Sequence, residues 1–194
     1  MTTGVQTVYQ RHRLTVAEYH RMGQAGVFSG DDRVELIEGD IVDMAPIGSS
    51  HAGTVKYLIN ILKLAVGERA IVSAQDPLAL DRNSEPQPDI ALLKPRTDFY
   101  RTAHPQPEDV LLLVEVADTT LRYDREVKLP LYARHNIPEV WIVDLENRGL
   151  CVYREPAEAG YRNAQTVEHP GVLVPVTLPD IPIDLSGLFS PPTP

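Results

Sequence analysis

The sequence predicts an α+β protein, a mixed β-sheet core flanked by helices, and three observations carry that reading. The run Val110-Leu111-Leu112-Leu113-Val114-Glu115-Val116-Ala117 has the length and Val/Leu content of a strand covered on both faces. Residues 51–66 place Val55, Leu58, Ile59, Leu62 and Ala65 on one stripe at helical spacing, as a helix lying on a sheet requires. Strand and helix patterns interleave without regular βαβ alternation, which favours a mixed sheet over a doubly wound parallel one.

The elements follow in order. Thr15 and, three residues on, Glu18 have the spacing of a reciprocal capping box, so a short helix starts there. Residues 34–44 read as two strands meeting at Glu38-Gly39-Asp40, where Gly39 supplies the turn conformation. Ser49 or Ser50 caps the helix from His51 to about Val66. Short strands are expected at 70–73 and 77–80, and a polar, proline-containing loop over 81–88 delivers Asp89 to the strand Ile90-Ala91-Leu92-Leu93. A second loop, 94–109, leads into the strand that carries Glu115. Asp118-Thr119-Thr120 is a cap cluster for a helix running to about His135 and kinked or restarted at Pro130. Residues 139–144 and 150–153 are strands around an Asn147-Arg148-Gly149 turn. A strand over 172–178 and an irregular covering segment end the chain, with a loose tail over 190–194.

Length and composition set outer limits. A chain of 194 residues, 43% hydrophobic and 23% charged, suits a single domain over 1–194 with its core at about 14–189. No apolar stretch approaches the roughly 18 residues of a membrane span, so a cytoplasmic protein without a membrane partner is expected. The lone Cys151 excludes an internal disulfide and a thiolate zinc site, and packing within a strand accounts for it. A net charge of −9 argues against a broadly basic nucleic-acid surface, but leaves room for a local basic rim or a metal-filled pocket.

Glu115 is the residue out of place. An ionised carboxylate inside an apolar strand needs a cation, a metal or a set of donors, or else it takes up a proton. Asp89 repeats the arrangement at the mouth of the neighbouring strand. Asp124, Lys128 and Tyr132, four residues apart, share a helix face immediately after the Glu115 strand. Folding that helix back over the strand end brings the Lys128 ammonium to the space between Asp89 and Glu115. The two acids can hold Mg²⁺, which prefers oxygen ligands, polarises a phosphate and lowers the pKa of an attacking water.

Pro88-Asp89, then Glu115-Val116-Ala117 on an apolar strand, then Asp124 and Lys128 ahead of Tyr132, resemble the PD-(D/E)XK nuclease superfamily. More closely the chain resembles the Uma2 family of restriction-endonuclease-like proteins, from Leu14-Thr15 through Val34-Glu35-Leu36-Ile37-Glu38-Gly39 and Trp141-Ile142-Val143-Asp144 to the end at Leu185 to Phe189. The resemblance implies a restriction-endonuclease-like fold and a Mg²⁺-dependent, or Mn²⁺-dependent, endonuclease acting on DNA. Asp89 and Glu115 would bind the metal with the Val116 carbonyl, Glu35 matches the slot of a further metal ligand, and Lys128 would position the water or stabilise phosphorane charge. The superfamily lysine two residues after the second acid is Ala117 here. In Uma2-like chains a lysine on the following helix takes its place, which by motif position is Lys128.

The same residues have plainer readings. Asp89 can cap a turn, Glu115 with Lys128 can be a structural ion pair, and Asp124 with Lys128 an ordinary helix pair. Tyr132 suits a core, Glu38 a solvated turn, and Glu35 a strand position facing solvent beside Arg33. A nuclease-fold protein that binds nucleic acid or a protein partner without cutting is the alternative function, and Ala117 and the acidic surface favour it. Other chemistries fare worse. His51 in Gly48-Ser49-Ser50-His51-Ala52-Gly53 fails the nucleophile-elbow pattern at Ala52, and belongs to the first helical turn near the site. The remaining histidines are scattered without HxH or HExxH spacing, which argues against a histidine zinc site. No glycine-rich phosphate loop exists, so no organic cofactor is expected. At 6% aromatic residues a sugar-binding platform is remote. Assembly is open, although a small nuclease that cuts both strands often works as a symmetric homodimer.

Overall fold

The computed structural model describes residues 11–190. In chain order it contains α1 (Val16–Gln24), β1 (Val34–Ile37), β2 (Asp40–Asp43), α2 (Ser49–Val66), β3 (Ile71–Ala74), β4 (Ile90–Leu93) and β5 (Val110–Ala117). A three-part helical segment follows, made of α3 (Leu121–Tyr123), a π-helical turn (Asp124–Lys128) and α4 (Leu129–Arg134). β6 (Glu139–Asp144), β7 (Gly149–Ala157) and β8 (Gly160–Val167) come next, and β9 (Val172–Leu173) pairs with β10 (Ile183–Asp184).

The main sheet has the order β3-β4-β5-β6-β7-β8. β5 and β6 are parallel and every other neighbouring pair is antiparallel, so the sheet is mixed and the fold is α+β. The helical segment from α3 to α4 is the crossover that the parallel pair requires. β5 explains its own lack of alternation. Leu112, Val114 and Val116 pack on one face with Val55, Leu58 and Leu62 of α2, whereas Leu113 and Ala117 pack on the other with Leu131 and Tyr132 of α4. Both faces are covered, so both sets of positions are apolar. By the two-residue period of a strand, Glu115 belongs to the α4 face.

The β1–β2 hairpin turns on Glu38 (φ 49) and Gly39 (φ 81), a pair of positive φ values that twists a two-residue loop to match its strands. A side chain at residue 39 would place its Cβ 2.7 Å from Arg13 Cβ and 2.9 Å from Leu14 N, so glycine is required twice over. The expected capping box is present: Thr15 Oγ1 accepts from Glu18 N–H at 3.2 Å and Glu18 Oε2 accepts from Thr15 N–H at 2.8 Å. Cys151 is buried in β7.

Several elements differ from expectation. Residues 77–80 form no strand: their N–H groups reach Pro86, Pro105 and Ser84 carbonyls rather than one neighbouring strand, although Leu78 and Leu80 are buried as a strand pattern requires. The strand expected over 172–178 is only two residues long, matching the two-residue partner it finds in β10. α2 begins at Ser49 behind Gly48, with no serine side chain capping it. The helix after Ala117 carries a π-helical turn, and Thr120 of the expected cluster stands at its N-cap without a side-chain capping bond; its Oγ1 donates instead to Asp124 Oδ2 at 2.8 Å. β8 went unpredicted because its mostly exposed, polar residues lack an apolar stripe. Of the tail expected to be loose, residues 191–194 lie outside the described ones. Among the described residues no helix is long and apolar enough to cross a membrane.

Candidate active site

Four acids and a lysine converge beyond the end of β5. Glu115 on β5, Glu35 on β1, and Asp124 and Lys128 at the two ends of the π-helical turn are all at most 5% exposed. Asp89, at the mouth of β4, keeps 13% of its side chain exposed. Lys128 Nζ lies 3.3 Å from Glu35 Oε2 and 3.3 Å from Glu115 Oε1. The Asp89 N–H donates to Glu115 Oε2 at 3.3 Å, and Asp89 Oδ2 accepts from the Val116 N–H at 2.9 Å. In an extended strand a residue's N–H and C=O point to the same edge, so the Val116 carbonyl is turned toward the Asp89 side as well. The five groups line a cavity of about 530 Å³ together with His51.

The surrounding donors are arranged by local structure. In a regular α-helix, residues five apart are roughly 140° apart around the axis. The widened turn instead lets Tyr123 and Lys128 meet one carboxylate, with the Tyr123 hydroxyl donating to Glu35 Oε1 at 3.1 Å. Tyr132, one regular turn after Lys128, donates to Glu115 Oε1 at 2.6 Å. The loop before β4 contributes the Gln87 N–H, which donates to Glu35 Oε2 at 3.0 Å. Past the end of β3, Gln75 Nε2 donates to Asp89 Oδ1 at 3.2 Å. His51 Nε2 lies 3.1 Å from Asp89 Oδ2, and its Nδ1 is buried without a partner among the described residues.

One ammonium serves four carboxyls, and the protonation balance follows. Burial pushes Glu115 up to about 8, with Asp124 and Asp89 adding to the shift and Lys128 opposing it. Burial also raises Asp124, to about 6, against the pull of Lys128 and the Thr120 hydroxyl. Burial alone would lower Lys128, but Glu115, Glu35, Asp124 and Asp89 together hold it well above its ordinary value, so it stays charged. Asp89 goes the other way: burial would raise it, yet His51, the Val116 N–H and Gln75 keep it below the ordinary aspartate value. The Asp89 hydrogen bond in turn raises His51, against its own burial.

Glu35, His51, Asp89, Glu115, Asp124 and Lys128 therefore line one cavity, and Tyr132 reaches it through Glu115. Glu35, which next to Arg33 could equally have faced solvent, is 2% exposed and bonded on both oxygens, whereas Glu38 is the exposed turn acid expected and pairs with Arg134 at 2.5 Å. Tyr132 is both core and site: it is fully buried and its hydroxyl ends on Glu115. Tyr123, Gln75 and Gln87 were missed. Gln87 next to Pro88-Asp89 was the only one with a positional hint; the π-helical turn that recruits Tyr123 has no sequence signature.

Comparison with solved structures shows the same fold in a crystal structure of a putative nuclease belonging to DUF820 from Anabaena variabilis, with a TM-score of 0.68 and 16% identity. The similarity covers 91% of this chain and 98% of that one. No curated protein is similar enough to match. Residues 16–186 match the Uma2 family, whose description reads "Putative restriction endonuclease". That span takes in the whole sheet and every residue of the acid cluster, and the chain belongs to the Uma2 family.

Proposed function

We propose that the protein is a metal-dependent endodeoxyribonuclease that hydrolyses DNA phosphodiester bonds at this cavity. The observation that carries the reading is the position of Lys128, whose ammonium touches both Glu35 and Glu115 from the helix that follows β5. A lysine delivered there does the work of the one missing at Ala117.

The residues fit a hard divalent cation. The donors are all oxygens, and burial pushes Glu115 and Asp124 toward protonation, with the neighbouring carboxyls adding to the shift. Asp89, Glu115 and the Val116 carbonyl would hold Mg²⁺ or Mn²⁺, with Glu35 completing or bridging a second position. Such an ion, when bound, polarises the scissile phosphate and lowers the pKa of a coordinated water. Lys128 holds its proton throughout and donates to the attacking water or to the phosphorane oxygens. Tyr132 and Tyr123 orient Glu115 and Glu35 by hydrogen bonds to their Oε1 atoms. His51, fixed on Asp89 through Nε2, holds that carboxylate in place.

Purified protein incubated with plasmid and Mg²⁺ or Mn²⁺ should nick or linearise it, while Lys128→Ala and Asp89→Asn prepared identically should not. Cleavage no higher than in the Lys128→Ala control, under every metal condition, refutes the proposal. DNA retention that survives Asp89→Asn without any cleavage would instead establish a binding protein on a nuclease fold.

A further inference from the structure

We propose that His20, Glu85 and His104 form a separate binding site for a transition-metal ion of the Zn²⁺ class. The three are far apart in sequence, which is why their spacing revealed nothing, yet one ligand atom from each lies within 4.8 Å of the other two. None of them lines the cavity of the acid cluster.

The donor set is chemically specific. Two imidazole nitrogens and one carboxylate oxygen suit Zn²⁺, Co²⁺ or Ni²⁺, whereas Mg²⁺ prefers the all-oxygen acids of the other site. Glu85 is 3% exposed, so its carboxylate requires a cation or strong donors, and its side-chain partner is His20 Nε2 at 2.6 Å. Around a tetrahedral ion, donors at about 2.1 Å from the metal sit roughly 3.4 Å from one another. That separation lies between the 2.6 Å of the His20–Glu85 pair and the 4.8 Å limit of the group, so movements of roughly 1 Å would seat the ion. The exposed histidines leave a fourth position for water.

Each donor sits on held backbone. His20 lies on α1, fixed by its capping box and by the Tyr19 hydroxyl, which donates to the Val34 carbonyl at 2.9 Å. Its ring packs edge-on to His104, with centroids 6.2 Å apart. The Glu85 N–H donates to the Leu36 carbonyl at 2.7 Å. His104 precedes Pro105, whose carbonyl accepts from the Ala79 N–H at 3.0 Å. An ion here ties α1, the loop before β4 and the loop before β5 together. Glu85 is two residues ahead of Gln87 and four ahead of Asp89, so the ion would brace the segment that presents both to the acid cluster.

The test is a calorimetric titration of chelator-treated full-length protein with Zn²⁺ in excess Mg²⁺, using wild type, Asp89→Asn, His20→Gln and His104→Gln. One Zn²⁺ should bind wild type and Asp89→Asn alike, and each histidine variant should weaken it at least about tenfold. Co²⁺ added to Asp89→Asn should give visible ligand-field absorption that His104→Gln removes in the same background. His104 is on an exposed loop, and circular dichroism of its variant checks folding independently. Zn²⁺ affinity unchanged within about twofold in both histidine variants, no Zn²⁺ binding by wild type, or loss of binding in Asp89→Asn alone would each overturn the site.

Discussion

Glu115 and Glu139 show why a buried acid has to be judged by its partners. Glu115 interrupts an apolar strand and Glu139 opens one, and both are almost fully buried. Glu139 accepts from Trp141 Nε1 at 2.7 Å, Arg154 Nε at 3.0 Å and the Val176 N–H at 2.7 Å, a set that ties the chain after β9 to β6, and it is fully buried away from the cavity. Glu115 shares its cation with another carboxylate and opens onto a cavity. Removing that cation should be costly. Lys128→Met leaves two buried carboxyls without a counter-charge and should lower stability by about 3–5 kcal/mol in urea denaturation. Adding Glu115→Gln should recover part of that loss only above about pH 8, where Glu115 would otherwise have to ionise. The pH response has a definite sign. Glu115 has a folded-state value of about 8 against an ordinary 4.5, so the folded protein binds this proton more tightly than the unfolded chain. Its contribution to stability is complete below the ordinary value and is lost as pH rises through about 8. In chelator, the denaturation midpoint should therefore fall between pH 5.5 and 8.5, and Glu115→Gln should flatten that decline. Mn²⁺ competes with the same proton, so its affinity should weaken as pH drops below about 8; an affinity flat over that range would show that Glu115 is not a ligand.

At the scale of elements, the π-helical turn is the feature that assembles the site. It starts at Asp124, ends at Lys128, and puts Tyr123 and Lys128 on the same Glu35 carboxylate. Tyr123→Phe removes one hydrogen bond to a charged acceptor and should cost about 1.5–3 kcal/mol by urea denaturation, with the loss reduced where Glu35 can rehydrate through the cavity. The hairpin makes the opposite demand, for a missing side chain. Gly39→Ala forces a Cβ against Arg13 and Leu14 at positive φ, and should cost more than about 1 kcal/mol by the same measurement. Because β1 carries Glu35, that variant should also lower Mn²⁺ affinity, a coupling that an ordinary surface-turn glycine would not show.

For the molecule as a whole, metal and fold are linked through mass action. An ion that binds only the folded chain stabilises it by about 2.7 kcal/mol at a hundred times its Kd. Mn²⁺ at that excess should raise the urea midpoint of wild type accordingly, and Asp89→Asn should abolish the gain. A wild type whose midpoint ignores Mn²⁺ would mean that the acids hold no ion.

Patterns that repeat along the chain were legible: the two-faced β5, the α2 stripe, the Thr15 capping box and the Gly39 turn all follow from local periodicity or from one residue's backbone freedom. An acid in an apolar strand is conspicuous, which marked Glu115 and Asp89; helical spacing brought Lys128 to them, and only the resemblance to Uma2 proteins added Glu35. Tertiary structure alone decided that Glu35 turns inward, that a π-helical turn recruits Tyr123, that Gln75 and Gln87 complete the donors, and that His20, Glu85 and His104 meet. Each of those depends on the angle at which separate segments pack, and packing between distant segments leaves no period in the chain to read.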